Sequence, residues 1–570
     1  MIRWVKKPIP DNDKVMALQD SLGVSSLIAT LLVQRGITDY DQAKTFFRPH
    51  VTHLHDPFLM KDMDLAVQRL STAIAKSEKI LIYGDYDVDG TTSVAQMYLF
   101  LKSHTEFLEC YIPDRYSEGY GISNKGIDYA KQQGVQLIIC LDCGIKAIDK
   151  VAYANQHGID FIICDHHRPG NILPNAIAVL DPKRQDCSYP FKELSGCGVG
   201  FKLIQAYCQN HSISFDEIKP LMDLVAVSIA ADIVPIIGEN RTLAYHGLKQ
   251  INSNPRAGIK ALLEVANKEK QITISDLVFG LAPRINAAGR IDHAIHAVEL
   301  LIQEDFSRAK QQAERIDKFN FERRDLDQQT TKEALEMTNS HSKSTVVFSP
   351  HWHKGVVGIV ASRLIESHYK PTIVLTESNG KLTGSARSVK GFDIYDAINE
   401  CSDLLEQFGG HKYAAGLTLK KENLVPFAKQ FEEVVRSTIK EEMLHEEILI
   451  DLEIELEHIS AKTYRILQQM APFGPSNSKP VFMLTGVRDS GVGRIIGQDE
   501  SHLKLSLTNA SKSSMVDAIG FGMAPHFSKV KNDQFFDVCF VIEENQWNGK
   551  KSIQLRLKDL KQSLSQNRSS

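Results

Sequence analysis

The chain has 570 residues, which predicts several domains, and its 43% hydrophobic and 24% charged residues are typical of a soluble globular protein. A formal net charge of −4 excludes a uniformly basic protein, so any binding of nucleic acid needs a local positive groove. We find neither a signal peptide nor an apolar stretch long enough to span a membrane, and the nine cysteines form no regular framework. We therefore expect a cytoplasmic protein that does not bind membranes.

Residues 1–59 are predicted to form a helical N-terminal lead-in, in which Ser25–Gly36 is an apolar helix that stops at a glycine. Between residues 60 and 255, short apolar runs alternate with helical patterns, as in a largely parallel α/β sheet. The predicted strands are Ile80–Tyr83, Phe107–Ile112, Leu137–Leu141, Phe161–Cys164 and Ala176–Leu180. In such sheets, ligands bind beyond the carboxyl ends of the strands.

Carboxylates and histidines follow three of these strands and one apolar helix. The residues at these ends are Asp85, Asp87, Asp89, Asp142, Asp165, His166, His167 and Asp232. An Asp-x-Asp sequence alone is equally well explained as an acidic loop, but four such ends on one edge of a sheet are hard to attribute to helix capping. Neighbouring carboxylates repel one another unless a cation lies between them. Mixed Asp and His ligands suit Mn²⁺ or Mg²⁺, and bridging carboxylates suit a pair of metals.

The stretch Phe279–Arg290 is rich in small residues and contains two arginines, Arg284 and Arg290. These residue types predict close approach of the backbone and an anionic ligand, or else an ordinary turn with surface arginines. From Ala297 to about Ser340 the chain is highly charged and free of Pro and Gly. This composition predicts a long exposed helix within a connecting segment at 256–343.

Residues 344–440 are predicted to form a second α/β module. Its glycine-bearing segments Gly384–Ser388 and Phe408–Gly416 would let backbone amides approach a phosphate, with Arg387 and His411 as further donors.

Residues 441–562 are predicted to be all-β, with five short strands that suit an OB-fold. Asn548-Gly549 is a strong signal for a hairpin turn. An OB-fold holds single strands by aromatic stacking and a basic groove, and Trp547, Lys550, Lys551 and Arg556 are candidates for that role, although Trp547 is also explained by simple packing. The polar tail, 563–570, is predicted to be disordered.

Several motifs resemble those of a known family. Asp165-His166-His167 after a strand, with Tyr83–Ser93 (YGDYDVDGTTS) upstream, is similar to the DHH phosphoesterase superfamily. Pro113-Asp-Arg115 followed by Glu118-Gly-Tyr-Gly121, and Ala231-Asp-Ile-Val-Pro235, narrow the resemblance to the bacterial 5′→3′ exonucleases specific for single-stranded DNA. The resemblance covers about nine-tenths of the chain. It implies a parallel-sheet DHH domain at 60–255, a DHHA1 α/β domain at 344–440 joined to it by the long helix, and a C-terminal OB-fold domain. It also identifies Phe279–Arg290 as a loop.

The resemblance further implies roles for individual residues. It places two metals on Asp85, Asp87, Asp89, Asp142, His166, His167 and Asp232, with Asp142, His166 and His167 central to catalysis, and Asp165 orienting the histidines. Arg115, Ser385 and Arg387 are expected at the 5′-terminal phosphate, and Arg290 and His411 at the scissile phosphate.

We therefore expect a monomeric enzyme that releases 5′-mononucleotides from single-stranded DNA in recombination and repair. The family implies a helicase and a single-strand DNA-binding protein as partners. Two alternatives stay open: a DHH phosphodiesterase acting on short oligonucleotides or cyclic dinucleotides, and a non-catalytic DNA-binding replication scaffold. The OB-fold and long helix argue against the first, and the filled ligand positions argue against the second.

Overall fold

The computed structural model describes residues 2–531, 534–547 and 549–563. They divide into two compact units. One unit comprises the chain up to Arg48, His445–Phe473 and the chain from Asn477 onwards, and the other comprises Pro49–Leu444 with Gly474–Ser476. The second unit therefore contains both predicted α/β modules.

Residues 2–48 form one strand and three helices. They are β1 (Arg3–Lys6), α1 (Asn12–Leu22), α2 (Ser26–Val33) and α3 (Tyr40–Phe47). The predicted helix at Ser25–Gly36 corresponds to α2, whereas β1 was not expected in a helical lead-in. The strand and the apolar helix residues of this segment contact the C-terminal part of the chain, as described below.

A five-stranded parallel sheet forms the centre of residues 49–255, in the order β3-β2-β4-β5-β6. Its elements are α4 (Met63–Ala75), β2 (Ile80–Gly84), α5 (Val88–Leu101), β3 (Leu108–Tyr111), α6 (Asn124–Gln132), β4 (Leu137–Leu141), α7 (Ile148–Asn155), β5 (Asp160–Cys164), β6 (Ala178–Leu180), α8 (Gly196–Asn210), α9 (Phe215–Ile218), α10 (Met222–Ala231) and α11 (Gly238–Ser253). Alternate residues of β2 enter two different hydrophobic cores, Ile80 and Ile82 on one face and Leu81 and Tyr83 on the other. Burial on both faces explains the continuous apolar runs and confirms the predicted parallel α/β sheet.

The connecting segment is helical throughout most of its length. It contains α12 (Ala257–Val265), α13 (Ile274–Asp276), a π-helical turn at Leu277–Leu281, α14 (Ala282–Ile291), α15 (Ile295–Ile302) and α16 (Phe306–Glu336). The predicted long helix is thus broken once, because Asp305 caps a new helix by accepting from the Arg308 N–H at 2.8 Å. The predicted loop at Phe279–Arg290 is wrong: this stretch is helical, and its small residues allow α14 to pack closely against its neighbours.

The second α/β module has a five-stranded mixed sheet in the order β10-β11-β9-β8-β7. Its elements are β7 (Thr345–Phe348), α17 (Val357–Ser367), β8 (Thr372–Ser378), β9 (Lys381–Arg387), α18 (Ile394–Asn399), β10 (Gln407–His411), β11 (Ala414–Leu419) and α19 (Leu424–Thr438). The two glycine-bearing segments predicted to approach a phosphate lie largely in strands, with Gly384–Arg387 in β9 and Phe408–His411 at the sheet edge in β10.

The C-terminal region is predominantly β, which confirms the predicted OB-type domain. It contains β12 (Glu447–Ile450), β13 (Leu452–Glu453), α20 (Ala461–Gln469), β14 (Phe482–Asp489), β15 (Arg494–Ile496), β16 (His502–Thr508), β17 (Met515–Gly520), β18 (Phe536–Trp547) and β19 (Lys550–Gln562). Seven strands follow the order β13-β14-β18-β19-β17-β16-β15, and an additional pairing of β14 with β16 closes the sheet on itself. Strand β1 pairs with β12 in parallel, with Arg3 opposite Glu447.

Three of the sequence predictions concern residues that lie outside those the structure describes. They are Asn548 of the predicted hairpin turn, the side chain of Trp547, and residues 564–570 of the predicted tail. Within the described ranges, no single helix meets the length and hydropathy needed to cross a membrane, although the bent pair α1 and α2 does so jointly.

Candidate active site

The end of β2 delivers the first two carboxylates of the site. Asp85 follows the strand directly and is fully buried, with one oxygen accepting from the Gly121 N–H at 3.4 Å. Asp87 caps α5 by accepting from the Gly90 N–H at 3.1 Å. A Cβ at Gly90 would collide with the backbone of Asp85, so only glycine allows the helix to start this close to the strand.

Asp89 is fixed by the start of α8. Its two oxygens accept from the backbone N–H groups of Gly196 and Cys197 at 2.7 and 2.8 Å, and from the Ser228 hydroxyl at 2.6 Å. These bonds hold the carboxylate so that one oxygen lies 3.8 Å from His166 Nε2.

His166 is the point at which the carboxylates converge. Its Nε2 lies 3.2 Å from Asp142 Oδ1 and 3.6 Å from Asp232 Oδ2. Two groups have all their ligand atoms within 4.8 Å of one another: Asp142, His166 and His167, and Asp89, His166 and Asp232. His166 belongs to both. Asp85 and Asp87 belong to neither group. We call all seven predicted metal ligands the carboxylate–histidine cluster: Asp85, Asp87, Asp89, Asp142, His166, His167 and Asp232.

The chemistry of this cluster fits a hard divalent cation. Asp85 Oδ2, Asp142 Oδ1 and both ring nitrogens of His166 are buried without a hydrogen-bond partner, a costly state that a metal ligand resolves. Burial lowers the pKa of His166, which keeps the imidazole neutral and its lone pair available. Burial, together with the charge of neighbouring aspartates, raises the pKa of Asp142 strongly and that of Asp232 to about 8. A cation would relieve this repulsion.

Asp165 has a different environment. Its oxygens accept from the backbone N–H groups of His166, His167 and Ile145, and from His167 Nδ1, at 2.7 to 3.0 Å. Burial opposes its charge, but the bonds from His167 and the backbone outweigh burial and lower its pKa to about 2. Burial likewise disfavours charge on His167, yet Asp165 raises the pKa of that imidazole to about 9. The Asp165 carboxylate thus holds the His167 ring and the backbone of both histidines.

Arginines from three elements come together on the other side of the site. Arg387 of β9 donates to the Ser385 hydroxyl at 2.7 Å and to the Ala386 carbonyl at 2.8 Å. Arg290 of α14 donates to the Gly355 carbonyl at 2.6 Å. Arg115 lies over the Tyr86 ring, with its guanidinium carbon 4.6 Å from the ring centroid. We call Arg115, Arg290 and Arg387 the arginine cluster.

The guanidinium groups of the arginine cluster have no carboxylate in direct contact. Among the residues that the structure describes, no Asp or Glu forms an ion pair with any of the three, and the charge of Arg115 acts on Asp85 only from beyond ion-pair distance. Burial and the charges of Arg115, Arg323 and Arg387 lower the pKa of Arg290 to about 9, and burial and Arg115 lower that of Arg387. Such a cluster favours an anion, and guanidinium groups match a phosphate well.

One open cavity of about 950 Å³ is lined by Asp87 and His167 of the carboxylate–histidine cluster and by Arg387 of the arginine cluster. It is lined on one side by Asp87, Tyr120, Asp165 and His167, and on the other by Ser385, Arg387, Gly410 and His411. His411 lies at the edge strand β10, where its side chain is largely exposed. Partial burial of its ring, together with the charges of His167, Lys146 and Lys183, lowers the pKa of His411. We refer to this cavity as the cleft.

Arg284 does not join the arginine cluster, contrary to the expectation that both arginines of its stretch face an anion. Its guanidinium pairs with Asp317 of α16 at 2.8 Å and donates to the Gly280 carbonyl at 2.7 Å. Because Phe279–Arg290 is helical, Arg284 and Arg290 lie on different faces of α14.

Sequence reasoning also missed two tyrosines. Tyr86 lies under Arg115, and the Tyr120 hydroxyl lies 3.2 Å from His167 Nε2. Both tyrosines lie inside the motifs on which the resemblance was based, Tyr86 within Tyr83–Ser93 and Tyr120 within Glu118–Gly121. Their positions in these motifs could have indicated that they lie at the site.

A separate basic row crosses the C-terminal sheet. Arg494, Lys504 and Arg556 occupy matched positions on β15, β16 and β19, with Ile519 of β17 between the last two. The Arg556 guanidinium lies 5.4 Å from the centroid of Phe521, whose side chain is half exposed. We call Arg494, Lys504, Phe521 and Arg556 the basic row.

Comparison with known proteins places this geometry among nucleases. The family models of the DHH N-terminal domain, the DHHA1 domain and the RecJ OB domain match residues 79–229, 342–437 and 450–559. The single-stranded-DNA-specific exonuclease RecJ of Bacillus subtilis is 38% identical over 556 residues, 96% of this chain and 70% of its own length. That of Escherichia coli is 32% identical, covering 87% of this chain and 89% of its own length.

RecJ of Thermus thermophilus in complex with Mn²⁺ matches with a TM-score of 0.85 at 25% identity, covering 98% of this chain and 80% of its own. Its complex with Mg²⁺ matches with a TM-score of 0.78, covering 98% and 78%.

Proposed function

The chain belongs to the RecJ family of single-stranded-DNA-specific exonucleases. From that membership we propose which part of a DNA strand each of its residue clusters binds. It is a nuclease that depends on Mn²⁺ or Mg²⁺ and acts on single-stranded DNA. We propose that it removes 5′-mononucleotides in the 5′→3′ direction. The observation that carries this proposal is that one cleft is lined both by Asp87 and His167 of the carboxylate–histidine cluster and by Arg387 of the arginine cluster.

The carboxylate–histidine cluster holds the metals in this proposal, one on each group of converging ligand atoms, with His166 near both. Divalent cations bound there would activate a water nucleophile and neutralise charge that develops on the phosphate. The protein positions two of these ligands: the start of α8 holds Asp89, and Asp165 holds the His167 ring.

Arg115 and Arg387 of the arginine cluster, with Ser385, bind the 5′-terminal phosphate in this proposal. A terminal phosphate carries more negative charge than an internal one, so a site with two guanidinium groups that pair with no carboxylate favours a strand end over an internal position. Binding the end at a fixed distance from the carboxylate–histidine cluster determines which phosphodiester is cut. Arg290 and His411 are proposed to contact that scissile phosphate.

The basic row of the C-terminal sheet is proposed as the platform for the rest of the strand. Arginine and lysine at matched positions on neighbouring strands can follow a phosphate backbone, and the half-exposed Phe521 offers a face on which a base can stack. This assignment extends the predicted contact of Arg556 to residues on two further strands.

The test is digestion by the full-length protein of a 5′-phosphorylated single strand, the matching duplex and a dinucleotide, each with Mn²⁺ and with a chelator. We expect mononucleotides from the single strand only. Asp142→Ala should lower that rate by at least about a thousandfold, because several kcal/mol of charge stabilisation is lost, while leaving binding of the strand largely intact. Turnover retained by this variant would exclude the metal assignment.

Four finer expectations stay proposals. They are a helicase partner, a single-strand DNA-binding protein as partner, a monomeric state and a cytoplasmic location. Size-exclusion chromatography with light scattering tests the third, and co-purification from cells tests the first two.

A further inference from the structure

Tyr86 occupies an unusual position, between two carboxylates of the metal site and beneath an arginine of the phosphate site. It separates Asp85 from Asp87 in the chain, and its ring faces the Arg115 guanidinium at 4.6 Å. In the part of the chain that the structure describes, no carboxylate pairs with Arg115, so the Tyr86 ring is the group against which this cation rests.

The Tyr86 ring is itself held firmly. A Cβ on Gly289 would lie 3.1 Å from the Tyr86 carbonyl oxygen and 3.7 Å from its Cβ, so α14 packs directly on this residue. The ring is partly buried against the main hydrophobic core and makes an edge contact with Tyr120, at 6.0 Å between centroids and 85° between planes.

The backbone of Arg115 is also fixed. Asp114 Oδ1 accepts from the Tyr116 and Ser117 N–H groups at 3.2 and 2.7 Å, which closes a tight turn. The Tyr116 hydroxyl donates to the carbonyl of Arg290. These bonds place the Arg115 backbone but leave the direction of its long side chain to be set by the surface on which it rests.

An aromatic ring suits this task better than a carboxylate would. A carboxylate would hold the guanidinium equally well but would cancel its charge. The face of a neutral ring attracts the cation and leaves all its N–H donors and its net charge for a ligand. The same logic explains why Tyr86 can lie so close to the metal site without adding another anion there.

We propose that Tyr86 is a positioning residue that holds the Arg115 guanidinium towards the 5′-terminal phosphate and so sets the preference for phosphorylated ends. This inference rests on the proposed role of Arg115 in end recognition. Tyr86 touches neither the metals nor the reacting phosphate in this proposal. Its effect is therefore confined to discrimination between ends.

The test compares kcat/KM on two single strands that differ only in a 5′-phosphate or a 5′-hydroxyl, using the full-length protein with Mn²⁺. Tyr86→Leu should lower the ratio of the two values by about three- to tenfold, mainly through KM for the phosphorylated strand. Tyr86→Phe keeps the ring face and should keep the ratio. The Mn²⁺-induced rise in melting temperature should be the same in all three proteins, because the metal ligands are unchanged.

Arg115→Ala separates this inference from the function on which it rests. If Arg115→Ala lowers the ratio and Tyr86→Leu does not, the role of Tyr86 is refuted while end recognition by Arg115 stands. If Arg115→Ala leaves the ratio unchanged, the end-recognition assignment fails and the inference fails with it. The double variant should match Arg115→Ala, since Tyr86 has then no cation to hold. Should Tyr86→Leu fail to fold, Tyr86→Met supplies a similar volume without the ring face.

Discussion

The aspartates of the site fall into two electrostatic classes. Burial and like charges raise the pKa of Asp85 and Asp142, each of which leaves one oxygen without a hydrogen-bond partner. Asp165 is equally buried, but four N–H donors hold its pKa at about 2. A carboxylate with this many donors gains little from a cation, so we expect Asp165 to orient the His167 ring rather than bind metal.

Asp165→Asn tests that role. An amide keeps one acceptor but turns its NH₂ group towards N–H donors, so His167 loses its fixed orientation. We expect a 10- to 100-fold rise in the Mn²⁺ concentration needed for half-maximal cleavage. The control is Asp223→Asn, a buried aspartate paired with Arg256 at 2.6 Å away from the site. It should lower the melting temperature without changing the Mn²⁺ dependence, and an equal change in both variants would contradict the orienting role.

At this scale the sequence predicted which carboxylates and histidines come together better than it predicted the partners of the arginines. Strand ends mark Asp85, Asp142 and His166 because every parallel strand points its carboxyl end to the same edge. The surroundings of Arg115 and Arg284 depend instead on which segments pack beside them. The residues near each arginine in the sequence do not indicate that the Tyr86 ring or the Asp317 carboxylate will be its partner.

Among the elements, α14 differs from what the resemblance implied. The resemblance identified Phe279–Arg290 as a loop, but the small residues and glycine of this stretch lie in a helix, where they permit close helix packing. Arg284 then faces Asp317 on α16, where it ties two helices of the connecting segment together.

Arg284→Ala should therefore behave as a stability variant. Loss of the partly exposed ion pair and of the bond to Gly280 should lower stability by about 1 kcal/mol. The preference for a 5′-phosphate should not change, because Arg284 lies outside the arginine cluster. Arg387→Ala is the matched comparison, and it should reduce that preference. Thermal melting measures the stability, and the ratio of cleavage rates on 5′-phosphorylated and 5′-hydroxyl strands measures the preference. A reduced preference in Arg284→Ala would show that Arg284 does contribute to the anion site.

The predicted strands of the parallel sheet agree with β2 to β6 within about two residues at each end, since long apolar runs carry their own signal. The strands that were missed lack such a run. β15 has three residues and begins with an arginine, β9 has a glycine at its centre, and β10 contains Gly409-Gly410. Their pairing is determined by neighbouring strands rather than by their own residues.

For the whole molecule, the most consequential finding is that residues 2–48 belong with the C-terminal region. Leu18, Ile28 and Leu31 are fully buried in the same hydrophobic core as Phe482 and Phe540. Lys7 pairs with Asp451 at 2.7 Å, and the Trp4 indole donates to Asp559 at 2.7 Å. No local pattern could have predicted this association, because each half of the interface is an ordinary amphipathic segment by itself.

This arrangement predicts how the chain can be divided. A fragment of residues 49–444 should be soluble and should retain Mn²⁺-dependent cleavage of short single strands. A fragment of residues 1–444 should aggregate or melt at lower temperature, because the apolar faces of α1 and α2 lose their partner. Light scattering and a cleavage assay on both fragments measure this. Equal solubility would show that residues 1–48 do not depend on the C-terminal region.

The pairing of β1 with β12 also bears on how the protein is made. Arg3 and Glu447 are 444 positions apart, so at about 5–20 residues per second the ribosome supplies the second strand roughly 20–90 s after the first. The unit that contains the carboxylate–histidine cluster lies between them in sequence and can fold before the first helices meet their partner. A newly synthesised molecule would thus complete the carboxylate–histidine cluster before the sheet that carries the basic row. The N-terminal segment is the part that needs protection from misassembly during that interval.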